Sequence, residues 1–178
     1  IPAKALREGE NKISIAAPTG LDDVFVGPVF WEDTPMKEAL SQCFAEISVT
    51  DSNGAHVPCR ITIADEKDYL MPLQVNPSAK MAIRTGVIYT LTGKAKVGLL
   101  PGNYRVYASR GFEYGVAFAE LSIEKGEVKP ISLKVEREVA TKGWVSCDPH
   151  IHVRTFSGHG DATVEERIPT IAGEGLEL

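Results

Sequence analysis

From about residue 42 to residue 137 the chain repeats one pattern: short stretches in which apolar and polar residues alternate, each closed by Gly, Asn, Asp or Pro. A period of two puts successive side chains on opposite faces of an extended strand, so each stretch predicts a strand with one face turned to a core. Ile47 and Val49 lead into Asp51-Ser52-Asn53-Gly54, and Ile61 and Ile63 follow, which predicts strand, turn, strand. Tyr104, Val106 and Ala108 alternate with Arg105, Tyr107 and Ser109 after the turn at Pro101-Gly102-Asn103, and Ile131, Leu133 and Val135 alternate with Ser132, Lys134 and Glu136. Between these stretches the apolar parity switches near residues 118–121, which predicts a bulge. About seven short strands with such turns predict a mainly β chain built as a β-sandwich.

The flanks read differently. Residues 12–16 alternate like a short strand, and residues 34–40 read as a helical turn with Pro35 at its first position. Residues 1–41 are expected as a flank packing on the sandwich of residues 42–138. A helical signal of useful length comes only at Thr163 and Glu166, which have the spacing of a capping box and predict a helix toward Ala172 that stops at Gly173 or Gly175. Pro169 lies inside it, where a missing N–H and a ring clash cost about 3 kcal/mol, so a kink or shortening is expected.

Composition narrows the classes. At 178 residues and 43% hydrophobic, the chain can bury one core, or one core plus an appendage. A formal charge of −5 offers no basic face to nucleic acid, and no apolar run reaches the roughly 18 residues of a membrane-spanning helix, so neither partner is expected. Cys43, Cys59 and Cys147 are too few for a disulfide scaffold and leave at least one thiol unpaired; Cys43 can bond Cys59 only if their strands are neighbours. The sequence opens on Ile1 and closes on Gly173-Glu174-Gly175-Leu176-Glu177-Leu178, where an apolar strand is about to start after a helix, and so reads as an excised or processed piece.

The strongest local anomaly is chemical. Three of the four histidines, His150, His152 and His159, crowd into Asp148-Pro149-His150-Ile151-His152-Val153-Arg154-Thr155-Phe156-Ser157-Gly158-His159-Gly160-Asp161. If residues 144–153 are extended, Asp148, His150 and His152 share one face; two imidazoles can then point at a common ion while a carboxylate supports them. The following loop can bring His159 or Asp161 to the same place. Histidines at i and i+2 also occur in strands as solvated or hydrogen-bonded side chains, so spacing alone leaves both roles open. His56, after an Asn-Gly turn, is expected to be an exposed loop residue. A phosphate-binding Gly-rich loop, a Gly-x-Ser-x-Gly elbow and a Cys-x-x-Cys pair are all missing from the sequence.

Asp148-x-His150-x-His152, followed by Ser157-Gly158-His159-Gly160-Asp161-Ala162-Thr163 and Glu165-Glu166-Arg167, resembles the first motif of PHP-type metallohydrolases, most like the CehA/McbA branch. The stretch Gly102-Asn103-Tyr104-Arg105-Val106-Tyr107-Ala108-Ser109-Arg110-Gly111-Phe112-Glu113-Tyr114 resembles the prealbumin-like or carboxypeptidase-regulatory-like β-sandwich that often precedes that barrel. The resemblance implies a sandwich followed by a strand-helix remnant, over 139–178, of an irregular (β/α)7 barrel. It implies His150 and His152 as metal ligands, His159 as a further ligand, Asp148 as a supporting group and Asp161 as another candidate metal residue. It also implies zinc, manganese or iron in a complete enzyme that hydrolyses phosphoester, ester or amide bonds of a small molecule, with metal held weakly or not at all by this piece, which is expected to be inactive alone. The partner implied is a downstream barrel of the same polypeptide; homo-association through the C-terminal segment is a further expectation, and an exported or periplasmic location suits such a sandwich. The other class of function is a free-standing β-sandwich binding or adhesion module; carriage of a small apolar ligand by a prealbumin-like dimer ranks last.

Overall fold

The alternating stretches form eight strands among the described residues: β1 (Cys43–Thr50), β2 (Cys59–Asp65), β3 (Met81–Arg84), β4 (Val87–Thr90), β5 (Lys94–Leu99), β6 (Gly102–Ser109), β7 (Ala117–Ile123) and β8 (Val128–Lys134). The computed structural model that shows them describes residues 5–16 and 33–178. Among the described residues three helices accompany the strands: α1 (Met36–Ala39), α2 (Arg154–Ser157) and α3 (Val164–Gly173). None of them is long and apolar enough to cross a membrane.

The strands build two sheets, ordered β5-β1-β8 and β3-β4-β2-β6-β7. Neighbours are antiparallel except β1 and β8, which run parallel with Ile47 opposite Ile131. The inward residues predicted by alternation meet between the sheets: Ile47 and Val49 of β1, Ile61 and Ile63 of β2, Val106 and Ala108 of β6, and Ile131 and Leu133 of β8 all lie in one buried cluster.

The expected strand, turn, strand is present, while other expectations need correction. Asp51 does organise a turn, its Oδ1 accepting the N–H of Asn53 and of Ala55 at 2.9 Å, with Gly54 at φ +80°. The strand, turn, strand reading therefore holds, and because the two strands belong to different sheets the turn is a crossover between them. No bulge interrupts β7: its register with β6 runs unbroken from Gly102↔Ile123 to Ala108↔Ala117. The parity switch arises because Phe118 points outward, half-exposed, and its ring meets the cross-strand Tyr107 at 5.2 Å. Finally, residues 144–153 form no strand. Among the described residues, their only ladder-like bonds are to the end of the chain: the Ser146 carbonyl accepts from the N–H of Glu177 (2.8 Å) and of Leu178 (3.2 Å), and the Leu178 carbonyl accepts from the N–H of Asp148 (3.2 Å). One residue bonded to two alternate residues of its neighbour is the parallel pattern.

The chain divides into two compact units, Ile1–Asp33 and Thr34–Leu178. In the first, residues 5–16 carry no helix or strand and are exposed, with Asn11 donating to the carbonyls of Arg7 and Gly9. The strand expected at 12–16 is not formed, since no described segment offers its backbone a ladder. The rest of the expected flank, residues 1–4 and 17–32, lies outside the described residues. In the second unit the turn before β1 is helical, as α1, with Pro35 one position earlier than expected, at the N-cap. All three cysteines are free; Cys43 and Cys59 are buried in different sheets, and burial pushes the Cys59 thiol up to about 12.

Helix α3 packs on the face of β2, β3 and β4 that points away from the core. Thr163 caps it, its Oγ1 accepting the Glu166 N–H at 3.3 Å. It runs unbroken through Pro169, which with Gly173 makes up its buried residues. Gly175 ends it at φ +71°; its N–H reaches the Ala172 carbonyl and that of Leu176 the Ile171 carbonyl, which is a Schellman stop.

Candidate metal centre

His150 and His152 do point the same way. Their Nε2 atoms lie 2.6 Å apart, and the ring of His159 sits 4.5 Å from that of His152. Although no strand forms, local alternation still turns both imidazoles to one side, and Asp148 stiffens the approach by accepting the backbone N–H of His150 on Oδ1 at 3.0 Å. Val153 remains extended and caps α2, which Gly158 closes at φ +70°, so the chain folds back and returns His159 to the pair. Gly160 makes this return possible: a Cβ there would lie 2.5 Å from the Val153 carbonyl carbon.

The ligands suggested by sequence separate into two groups. His150, His152 and the nearby His159 come together. Asp161 does not turn to them: its Oδ1 pairs with Arg167 Nη2 at 2.5 Å, and that hydrogen bond holds its carboxyl below the usual range. Among the described residues, no group of three or more His, Cys, Asp or Glu side chains is disposed to hold a metal ion. In donor chemistry and direction the imidazole pair fits part of a zinc-like site. Two nitrogens at about 2.0–2.1 Å from a tetrahedral ion stand about 3.3 Å apart, so the rings must open by about 0.7 Å to admit one.

His150 and His152 border a cleft of about 510 Å³ whose opposite wall belongs to the sandwich. Ala82 and Arg84 of β3 and Tyr89 of β4 line it, with Arg167 of α3 and Glu174 at its C-cap. Arg84 Nη1 donates to the carboxylate of Glu166, and Tyr89 donates its hydroxyl to Glu174 Oε1 at 2.7 Å. Burial, then that hydrogen bond, pushes the Tyr89 phenol up to about 12, so it stays a donor. At the far end of α3, Arg110 Nη1 donates to the carbonyls of Pro58 and Ala172. Arg167 figures in the sequence only as part of the motif Glu165-Glu166-Arg167, and neither Arg84 nor Tyr89 stands out there. The strands of Arg84 and Tyr89 sit far from the histidines along the chain, and the two-residue turn Thr85-Gly86 is the local signal for the hairpin that presents them.

A pH dependence follows from these pairs. The hydrogen bond from Arg84 lowers Glu166 below its ordinary 4.5, as that from Arg167 lowers Asp161 below 3.8. Carboxylates with depressed folded-state values stabilise fully above their ordinary range, and the contribution disappears as pH falls through the lowered values. Amide exchange in α3 should therefore speed up relative to β2 and β6 between about pH 6 and about pH 3, after correction for intrinsic rates; equal protection at both would reject this role for the pairs.

No family model matches the chain, and no curated protein matches it. Among solved structures, it is similar to the minor pilin GBS52 of the gram-positive pathogen Streptococcus agalactiae, at 12% identity and a TM-score of 0.42. That match covers 65% of this chain and 49% of the pilin chain, so it spans about half the pilin's length.

Proposed function

We propose that this chain supplies an accessory β-sandwich and the first metal-binding motif of a PHP-type metallohydrolase, with the other ligands coming from residues outside this sequence. The observation that carries the reading is the convergence of His150 and His152, Nε2 to Nε2, at the edge of a cleft. Two further features support it. The backbone around Ser146 and Asp148 bonds Glu177 and Leu178 in the parallel pattern across α3, the arrangement of a strand-helix-strand unit in a parallel barrel. Trp144 and Phe156 flank the histidines at 81% and 82% exposure, offering apolar surface for such a barrel to cover.

Zinc, manganese or iron bound there would lower the pKa of a coordinated water toward neutrality and so provide hydroxide for attack on a phosphoester, ester or amide. This chain's contribution is narrower: His150 and His152 present nitrogens, Asp148 holds the backbone that carries them, and the sandwich wall shapes the space beside them. Titrated with Zn²⁺, the chain should bind weakly and below one equivalent, and His150→Ala or His152→Ala should weaken binding by about tenfold or more. Unchanged binding in both variants would remove these residues from any metal site.

A second reading, a free-standing β-sandwich binding module, is favoured by one observation: the two rings already satisfy each other, within a segment docked on the sandwich through α3. It predicts that both variants leave metal binding unchanged.

A further inference from the structure

Resting on the reading above, we propose that the sandwich is a working part of the metal centre, and that Arg84 of β3 is a positioning residue that holds the His150–His152 pair in place by way of α3. The path is a chain of direct contacts. Arg84 donates to Glu166 in the first turn of α3, whose N–H is itself bound by the capping hydroxyl of Thr163. One residue further on, Arg167 pairs with Asp161. The strand of contacts then returns to the histidines: the Arg154 N–H donates to the Ala162 carbonyl at 2.8 Å and its Nη2 to the Asp161 carbonyl at 3.1 Å, which pins the chain directly after His152.

The other end of α3 is held by the same sheet, through Tyr89 on Glu174 and Arg110 on the Ala172 carbonyl. A helix fixed at both ends leaves the loop of residues 153–162 little freedom to move the rings. Arg84 suits this role because its side chain is half-exposed and lies outside the core, so removing it should leave the fold between the sheets intact. It also lines the cleft, so its displacement is felt where the imidazoles are.

The test uses the chain as it is, with Co²⁺ as the probe, followed by its visible absorption as the metal is titrated. Arg84→Ala should weaken Co²⁺ binding by about tenfold, the size of effect seen when the group orienting a metal ligand is lost. Glu166→Gln, which keeps the side-chain shape, should do the same from the helix side. The charge exchange Arg84→Glu with Glu166→Arg should recover most of the loss, a rescue that general destabilisation does not produce. A thermal melt shows that each variant remains folded. If His150→Ala abolishes binding while Arg84→Ala and Glu166→Gln leave it unchanged, the positioning role is overturned and the metal reading stands. If His150→Ala and His152→Ala also leave Co²⁺ binding unchanged, the metal reading fails and takes the positioning role with it.

Discussion

Gly111→Ala is expected to detach α3 from the sandwich while the eight strands stay folded. Gly111 lies at φ +67°, where a side chain costs about 1–2 kcal/mol. A Cβ there would also fall on the backbone carbonyl of Glu174, and backbone cannot step aside as a side-chain tip can. Overpacking of this kind costs about 1–3 kcal/mol, so the two together cost about 2–5 kcal/mol, concentrated at one contact. The helix side has no slack to absorb it. A Cβ on Gly175 would meet the Arg110 carbonyl at 2.8 Å, and one on Gly173 would meet the Cys59 carbonyl at 3.0 Å. Amide exchange should show α3 losing protection while β2 and β6 keep theirs, with Co²⁺ affinity falling in parallel. Unaltered α3 protection would mean that the close approach of residues 111 and 174 is not what holds the helix.

Ile63→Ala should act on the whole unit instead. Ile63 is fully buried on β2, the middle strand of the five-stranded sheet, and lies opposite Val106 of β6. Truncating such a side chain removes its transfer free energy and leaves a cavity that strands bonded on both sides cannot collapse into, for a cost of about 2–5 kcal/mol. For a unit of this size that corresponds to a fall in Tm of about 10 °C, with sandwich and α3 melting together. A loss below about 1 kcal/mol would show that the space between the sheets refills, contrary to the close packing of such cores. The two variants thus separate the stability of the sandwich from the attachment of the segment that carries the histidines.

Much of the β-sandwich is legible in the chain because a period of two is a local property: each strand reports its own inward face, and Ile47, Ile61, Val106 and Ile131 are buried where alternation puts them. The α3 cap and stop are equally local, carried by Thr163 and Gly175. The short β3–β4 hairpin is harder to read. Its residues have a core on one side and α3 on the other, so Ala82 and Val87 are buried on the outward face and the alternation blurs. Phe118 misleads for the opposite reason, since an outward aromatic with a cross-strand partner looks like a core residue out of phase.

The candidate site divides along the same line. That His150 and His152 face one way follows from their spacing, which depends only on backbone geometry between neighbours. That Asp161 answers to Arg167, that His159 returns beside His152, and that Arg84 and Tyr89 stand across the cleft from them are decided by contacts between segments up to some 80 residues apart. Local periodicity is written into each segment separately and can be read there. Which segments meet depends on how the outer face of one sheet is covered, and that is settled by packing and charge pairing across the folded chain, where α3 brings its glycines to the backbone and its carboxylates to Arg84 and Tyr89.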